Sequence, residues 1–364
     1  MKIKVCQPST SEAEKRWVNK ALDENRISST GGYVEKFEKE FAKKIGTKYA
    51  VAVNSGYSAI FLTLVALGIG PGDEVIIPTF TMIATANAVR HCGAKPVLID
   101  AEWETGNIDV TKIEEKITPR TKAIMPVHIY GHPCDMDVIN EIAKRHNLIV
   151  VEDSAEAHGA KYKGRFAGNL SRAGCFSFYA NKIITTGEGG AITTNDKSLA
   201  DEVRSLREYY FSPIKHFDHK KAAWNFRMSS LEAAYGLGQL ERWDELIGLR
   251  RGNAFGYSLK LAGMSDILET PPQDISTTNV YWMYWIKVGP ERDALMIFLE
   301  ENGIETRTGF FPIHWQKPYE HDNGEYPCAN KLGAQSLYLP SSPNLTNEEQ
   351  DYVVKKIKEF YSRS

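Results

Sequence analysis

The chain has 364 residues, 42% of them apolar, enough for a substantial core, since a chain of this size buries roughly three quarters of its unfolded surface. A formal net charge of −2 supplies no basic field, which argues against a nucleic-acid partner and leaves room for a small acidic ligand held locally. Five cysteines (Cys6, Cys92, Cys134, Cys175, Cys328) are widely spaced without a CxxC pair, so neither a disulfide framework nor a zinc knuckle is indicated, and buried thiols in a reducing compartment are expected.

The N-terminal MKIKVCQPS has no apolar signal-type run. The longest apolar stretch, around Ala59 to Leu67, is far short of the roughly 20 residues that span a bilayer. A cytoplasmic location without membrane contact is expected. From Ser11 to Asn25, Trp17, Val18 and Leu22 recur at helical spacing, and Ser11 with Glu14 three residues on resembles a capping box. After a turn at 28–32, Val34, Phe37, Phe41 and Ile45 mark a second amphipathic helix that Gly46 closes.

YAVAVNSGYSAIFLTLVALG then reads as strand, turn and helix. Backbone N–H groups at Gly56, Tyr57 and Ser58 at that helix start make a phosphate-site candidate. Gly68, Gly70 and Gly72 follow a helix and precede a strand, the wrong order for a dinucleotide fingerprint. Strands EVIIP, KPVLID, KAIMPVH and LIVVED alternate with helices near 84–91, 110–117 and 136–145. The alternation predicts an α/β fold whose mainly parallel, doubly wound sheet is covered by helices on both faces. His128 and His132 lie four apart in HIYGH, at a strand end with no helical frame or third ligand, so no metal site is expected.

The strand Leu148 to Val151 ends in Glu152 and Asp153, where open α/β sheets place ligands. Downstream, GCFSFYANKIITTGEGG (174–190) sets Lys182 just past a half-apolar strand and before a glycine-rich turn. A lone lysine beside glycines says little. A lysine for an aldehyde together with a carboxylate to keep a ring nitrogen protonated is what pyridoxal phosphate (PLP) requires.

Past a helix at 198–209, the loop Phe211 to His219 is aromatic and basic, with His216 and His219 read as loop surface. WNFRMSSLEAAYGLGQLERWDEL enters one long helix from about Ser229 to Gly263. The remainder holds an apolar run (281–288), a charged helix (292–302), the segment 304–312 and a closing helix (347–361). These predict a large domain over 1–245 and a small α+β domain over 246–364, with Pro271 to Asn279 a surface loop of the latter.

VVEDSAEAHGA followed by FSFYANKIITTGEGGAITTND resembles the sugar-nucleotide aminotransferases of the DegT type, which share the aspartate-aminotransferase fold. The likeness extends from ISSTGGYVEKFEKEFA through WNFRMSSLEAA to IETRTGFFPIHWQKPY. It implies that Lys182 bonds PLP and moves a proton between the donor carbon and the cofactor, that Asp153 faces the ring nitrogen with a lowered pKa, and that Glu156 lies at the ring's polar edge. It further implies that Ser177 joins Ser55, Gly56, Tyr57 and Ser58 around the phosphate, with Asn225 arriving from the neighbouring subunit of a homodimer. Met82 would border the cofactor, and Arg26, Ser28, Arg307 and His314 the substrate. The pattern departs at Arg26, Tyr57 and Met82, where relatives usually carry Trp, a small residue and an aromatic, so the pocket is expected to be reshaped. The implied reaction moves an amino group from L-glutamate to C4 of a nucleotide-linked 4-keto-6-deoxyhexose, with GDP-4-keto-6-deoxymannose the expected substrate and O-antigen lipopolysaccharide the expected destination. The alternatives are a UDP- or dTDP-linked 4-keto-6-deoxyglucose, or amination or dehydration at C3. The dehydratases carry His where this chain has Lys182.

Overall fold

The computed structural model describes residues 2–212, 214 and 217–362; the surface position expected of His216 lies outside the described residues. The chain opens with α1 (Glu12–Asp23) and α2 (Tyr33–Ile45). Ser11 N–H donates to Glu14 at 2.6 Å and Ser11 Oγ accepts from Ala13 N–H, forming the capping box its sequence predicts. The buried face of α1 differs from the expected one: Glu14 and Ala21 are buried while Leu22 is 47% exposed. The cause is a close approach to a glycine, because a Cβ on Gly238 would fall 2.5 Å from Glu14 Cα. Glu14 then finds partners in Gln239 and Arg242. On α2 the predicted stripe of Val34, Phe37, Phe41 and Ile45 is buried, and Gly46 ends the helix at φ 81°.

The central unit comprises β1 (Tyr49–Val53), α3 (Gly56–Ala66), β2 (Glu74–Pro78), α4 (Ile83–His91), β3 (Lys95–Ile99), β4 (Thr121–Ile124), α5 (Met136–His146), β5 (Ile149–Asp153), the hairpin β6 (Lys161–Tyr162) and β7 (Arg165–Phe166), β8 (Ala173–Ser177), β9 (Gly190–Thr194) and α6 (Lys197–Arg207). Seven strands form one sheet in the order β1-β9-β8-β5-β4-β2-β3. From β3 to β8 neighbours run parallel, whereas β9 is antiparallel to both β8 and β1. The helix expected near 110–117 is instead two single 3-10 turns, Val110–Lys112 and Glu114–Lys116. Pro119 disfavours helical backbone at Thr118, and the chain is already extended at Ile117.

The long helix expected beyond Ser229 is two, α7 (Ser230–Glu241) and α8 (Trp243–Leu261). Arg242 breaks it, its guanidinium drawn to Ser9 and Glu14 at the chain start. The chain ends with β10 (Thr277–Thr278), β11 (Tyr284–Lys287), α9 (Arg292–Glu301), β12 (Arg307–Thr308), α10 (Pro327–Gln335), β13 (Ser336–Leu339) and α11 (Asn347–Ser362). β10 corrects the plain surface loop expected there, because Thr277 and Thr278 pair with the edge of β6. A second sheet, β11-β13-β12, has its own core. Alternation from Met283 into β11 serves both cores: Met283 and Trp285 belong to the large one, and Tyr284 and Ile286 to the other, which Ile3 joins. Of the cysteines, Cys134 and Cys175 are buried, but Cys6, Cys92 and Cys328 are only half-buried. Among the described residues no helix is long and apolar enough to cross a membrane.

Candidate active site

The carboxyl ends of β1, β2, β5 and β8 converge at one edge of the sheet, the place where open α/β sheets bind ligands. Asp153 ends β5 opposite Cys175 of β8. Its side chain is 4% exposed. Oδ2 accepts from Thr85 Oγ1 at 2.8 Å and Oδ1 from Ala155 N–H at 3.2 Å. Burial raises its pKa above the ordinary carboxylate value, opposed by the Thr85 and Ala155 hydrogen bonds and by Lys182 and His128. A lowered value therefore needs a further cation at the carboxylate, which the protein alone does not provide.

Lys182 follows β8 on a tight loop. Phe178 N–H donates to Gly189 O, Thr186 N–H to Phe178 O, and Lys182 N–H to Tyr179 O. Nζ lies 3.8 Å from the centroid of the Trp282 ring. Burial pushes the ammonium pKa down, against the pull of Glu156 and Asp153, and the Arg250 charge acts in the same direction as burial. A nucleophilic amine requires that bias. Glu156, 3% exposed, accepts the Tyr130 N–H at 2.7 Å, and burial lifts its carboxyl to about 7. His158 is fully buried, and burial, with the Lys182 charge acting the same way, drives its pKa down to about 3.

The first turn of α3 presses on the end of β8. Ser55 caps the helix, its Oγ accepting from Ser58 N–H at 3.1 Å. A Cβ on Gly56 would fall 2.7 Å from Ser177 Cβ, and one on Gly190 would fall 2.3 Å from Ser55 O. Ser55, Gly56, Ser58 and Ser177 are thus one cluster, at a helix N-terminus whose leading N–H groups, those of Gly56 and Tyr57, suit an anion. Tyr57 follows in that turn, but its hydroxyl leaves the cluster for His91 Nδ1 at 2.7 Å.

The remaining expected residues are more dispersed. Met82 caps α4 and is 51% exposed. His314 reaches the end of β2, with Nδ1 2.7 Å from Thr79 Oγ1 and Nε2 2.8 Å from Asn330 Oδ1. Arg26 and Ser28 are exposed, Ser28 O accepting from Ser230 N–H. Arg307 is exposed on β12 and pairs with Glu305 at 2.6 Å. Asn225 is exposed and bridges Glu208, while Phe226 O accepts from Asn54 N–H beside Ser55. Of the two histidines in HIYGH, His128 is paired with Glu152 and His132 lies against Asn279.

Sequence reasoning missed Thr85, Tyr130, Trp282 and Arg250. Thr85 stands one turn into the helix after Met82, and Trp282 sits in an aromatic run that reads as a strand. Neither pattern carries a chemical signature by itself.

The donor set fits PLP: a half-buried lysine whose amine has a depressed pKa, a buried carboxylate able to pair a protonated ring nitrogen, and a glycine-floored helix N-terminus for a phosphate. Residues 8–358 match the model of the DegT/DnrJ/EryC1/StrS aminotransferase family. The chain is 45% identical over 358 residues to GDP-perosamine synthase of Caulobacter vibrioides, covering 97% of this chain and 96% of that one. It is 43% identical over 362 residues to GDP-perosamine synthase of Escherichia coli O157:H7, with 99% of each chain covered. Among solved structures it is similar to Spr1654 from Streptococcus pneumoniae in its PLP form, with a TM-score of 0.94 and 27% identity over 100% of this chain and 99% of that one.

Proposed function

Since the chain belongs to the DegT/DnrJ/EryC1/StrS family of PLP-dependent aminotransferases, we propose that it transfers the amino group of L-glutamate to C4 of GDP-4-keto-6-deoxymannose, giving GDP-perosamine. The observation that carries this choice of substrate is full-length similarity, at 45% identity, to a protein named GDP-perosamine synthase. When bound, PLP supplies an aldehyde for the amine and an electron sink for the electron pair released at the donor carbon.

The chain's own residues have separate tasks. Lys182 would hold the aldehyde through Nζ and, as a free amine, would serve as the base that takes the proton from the donor carbon and the acid that supplies one to the sugar's C4. It needs a neutral amine at that moment, which burial and the Arg250 charge favour over the pull of Asp153 and Glu156. Asp153 would hold the proton on the ring nitrogen. Thr85 Oγ1 fixes one carboxylate oxygen and Ala155 N–H the other, so the carboxylate plane cannot rotate away. Glu156 is anchored on Tyr130 N–H and would face the ring's polar edge.

Ser55, Ser58, Ser177 and the N–H groups of Gly56 and Tyr57 bind the phosphate. Asn225 completes that site in a second copy of the chain, making a homodimer with shared sites. Its exposure in a single chain supports this. His314, Arg26, Ser28 and Arg307 bind the sugar nucleotide, and Met82 borders the cofactor. We place the enzyme in the cytoplasm and its product in lipopolysaccharide O-antigen synthesis. The test is turnover with L-glutamate against GDP-, UDP- and dTDP-linked 4-keto-6-deoxyhexoses, with the aminated carbon assigned by NMR. A 4-amino product from the GDP-linked mannose derivative is expected. An inert GDP sugar beside an active UDP or dTDP one, or an amino group on C3, would overturn the reading.

A further inference from the structure

Arg250 lies in the middle of α8 and is 1% exposed. Burying a guanidinium is costly unless a carboxylate neutralises it. Here its partners are three carbonyls and a thiol: Nη1 donates to Trp282 O at 2.9 Å and to Ser341 O, and Nη2 to Asn181 O at 3.2 Å and Cys6 Sγ at 3.1 Å. Among the described residues no carboxylate pairs with it, and its Nε–H has no partner. The side chain therefore ties together the chain start, the lysine loop, the segment before β11 and the turn after β13.

Two of those carbonyls belong to the immediate surroundings of Lys182. Asn181 O is the acceptor of the peptide that leads into Lys182, and it takes Trp282 Nε1–H at 2.8 Å and Cys6 S–H at 3.5 Å in addition to Arg250. The N–H of the same peptide donates to Tyr179 O at 2.9 Å. The 181–182 peptide is thus held at both ends. Trp282 is the residue whose ring lies under Nζ, so Arg250 holds both the backbone that carries the amine and the surface on which the amine rests.

We propose that Arg250 is a positioning residue for Lys182, clamping the 181–182 peptide and Trp282 while fixing a cation that has no carboxylate partner on the backbone that carries the amine. The proposal rests on Lys182 being the PLP-bonding lysine. The ammonium is faced by Asp153 and Glu156 from the end of β5, by His158 just beyond, by Cys6 from the chain start, by Arg250 from α8 and by the Trp282 ring. The two carboxylates and the ring favour the charged amine; Arg250 favours the neutral one.

The test follows the near-visible lysine–cofactor band as full-length protein, stripped of PLP, is reloaded across a pH series. Arg250→Met should slow loading throughout the series, because the 181–182 peptide and the Trp282 ring lose their clamp, and should move the midpoint of the loading-rate profile toward higher pH as a like charge is removed. Arg250→Lys keeps the charge but cannot span four acceptors. Its midpoint should stay while its limiting rate falls. A purely structural arginine would lower the yield of folded protein without moving the midpoint. If both variants load with the wild-type midpoint and limiting rate, the proposal is wrong. Should Arg250→Met not fold, an unchanged limiting rate in Arg250→Lys is sufficient to reject it. A Lys182→Ala protein that still forms the band would instead overturn the lysine assignment on which the proposal rests.

Discussion

At the scale of single residues, the site works by placing ionisable groups where water cannot stabilise their charge. Asp153 illustrates it. Its pKa is raised in the protein alone, yet its two oxygens already hold one donor each, so a protonated ring nitrogen would find the carboxylate oriented and poorly solvated. Asp153→Asn should retain PLP but lower transamination by orders of magnitude, because a neutral amide cannot hold the ring nitrogen's proton. Turnover at saturating glutamate and full cofactor occupancy measures this. Glu156 gives a pH signature. Its pKa is raised from 4.5 to about 7 by burial, so without PLP the folded protein binds more protons than the unfolded chain in that window. Stability contributed by protonated Glu156 is present at low pH and lost as pH rises from about 4.5 through about 7. The melting temperature of PLP-free Glu156→Gln should therefore gain on wild type across that window and show a constant difference outside it. A Glu156→Gln variant that loses ground to wild type as pH rises, or keeps a constant difference through the window, would contradict the burial account.

At the scale of elements, function depends on how closely α3, β8 and the glycine-rich loop pack. Gly56→Ala would place a methyl group 2.7 Å from Ser177 Cβ, and overpacking of this kind typically costs about 1–3 kcal/mol. The variant should bind PLP more weakly by a similar amount, since the helix N-terminus shifts away from the serines. Titration of the PLP-free variant checks this; unchanged affinity would show that the first turn of α3 is not the phosphate site. These elements are also where the sequence was most and least legible. The βα alternation, the α1 capping box and the Gly46 stop are local signals, and the structure reproduces them. The strand ends carrying Asp153 and Ser177 and the turn after β1 were equally readable, because α/β topology brings them to one edge. What escaped was decided by distant partners. α1 buries Glu14 in place of Leu22 because Gly238 lets it come close, and the helix after Ser229 breaks where Arg242 reaches back to Ser9 and Glu14. Thr85, Trp282 and Arg250 acquire a relation to Lys182 and Asp153 only once the chain is folded.

At the scale of the whole molecule, the proposed shared site makes activity a property of two chains. Lys182→Ala and a separately inactive Asn225 variant, mixed where subunits exchange, should form mixed dimers with one doubly damaged and one intact site. Activity should rise from near nothing toward about half per mixed dimer. Exchange without recovered activity would place Asn225 in its own chain's site. The central claim is that this chain moves an amino group from L-glutamate to a keto-sugar nucleotide by way of PLP, with Lys182 as the residue that bonds the cofactor and moves the proton. The most direct measurement mixes the PLP-loaded protein with L-glutamate, follows its near-visible band, and then adds GDP-4-keto-6-deoxymannose. The account predicts that glutamate bleaches the band, that the keto-sugar restores it with release of a 4-amino sugar, and that Lys182→Ala retains PLP but does neither at a comparable rate. A band that ignores glutamate, or one that Lys182→Ala cycles as fast as wild type, would contradict it.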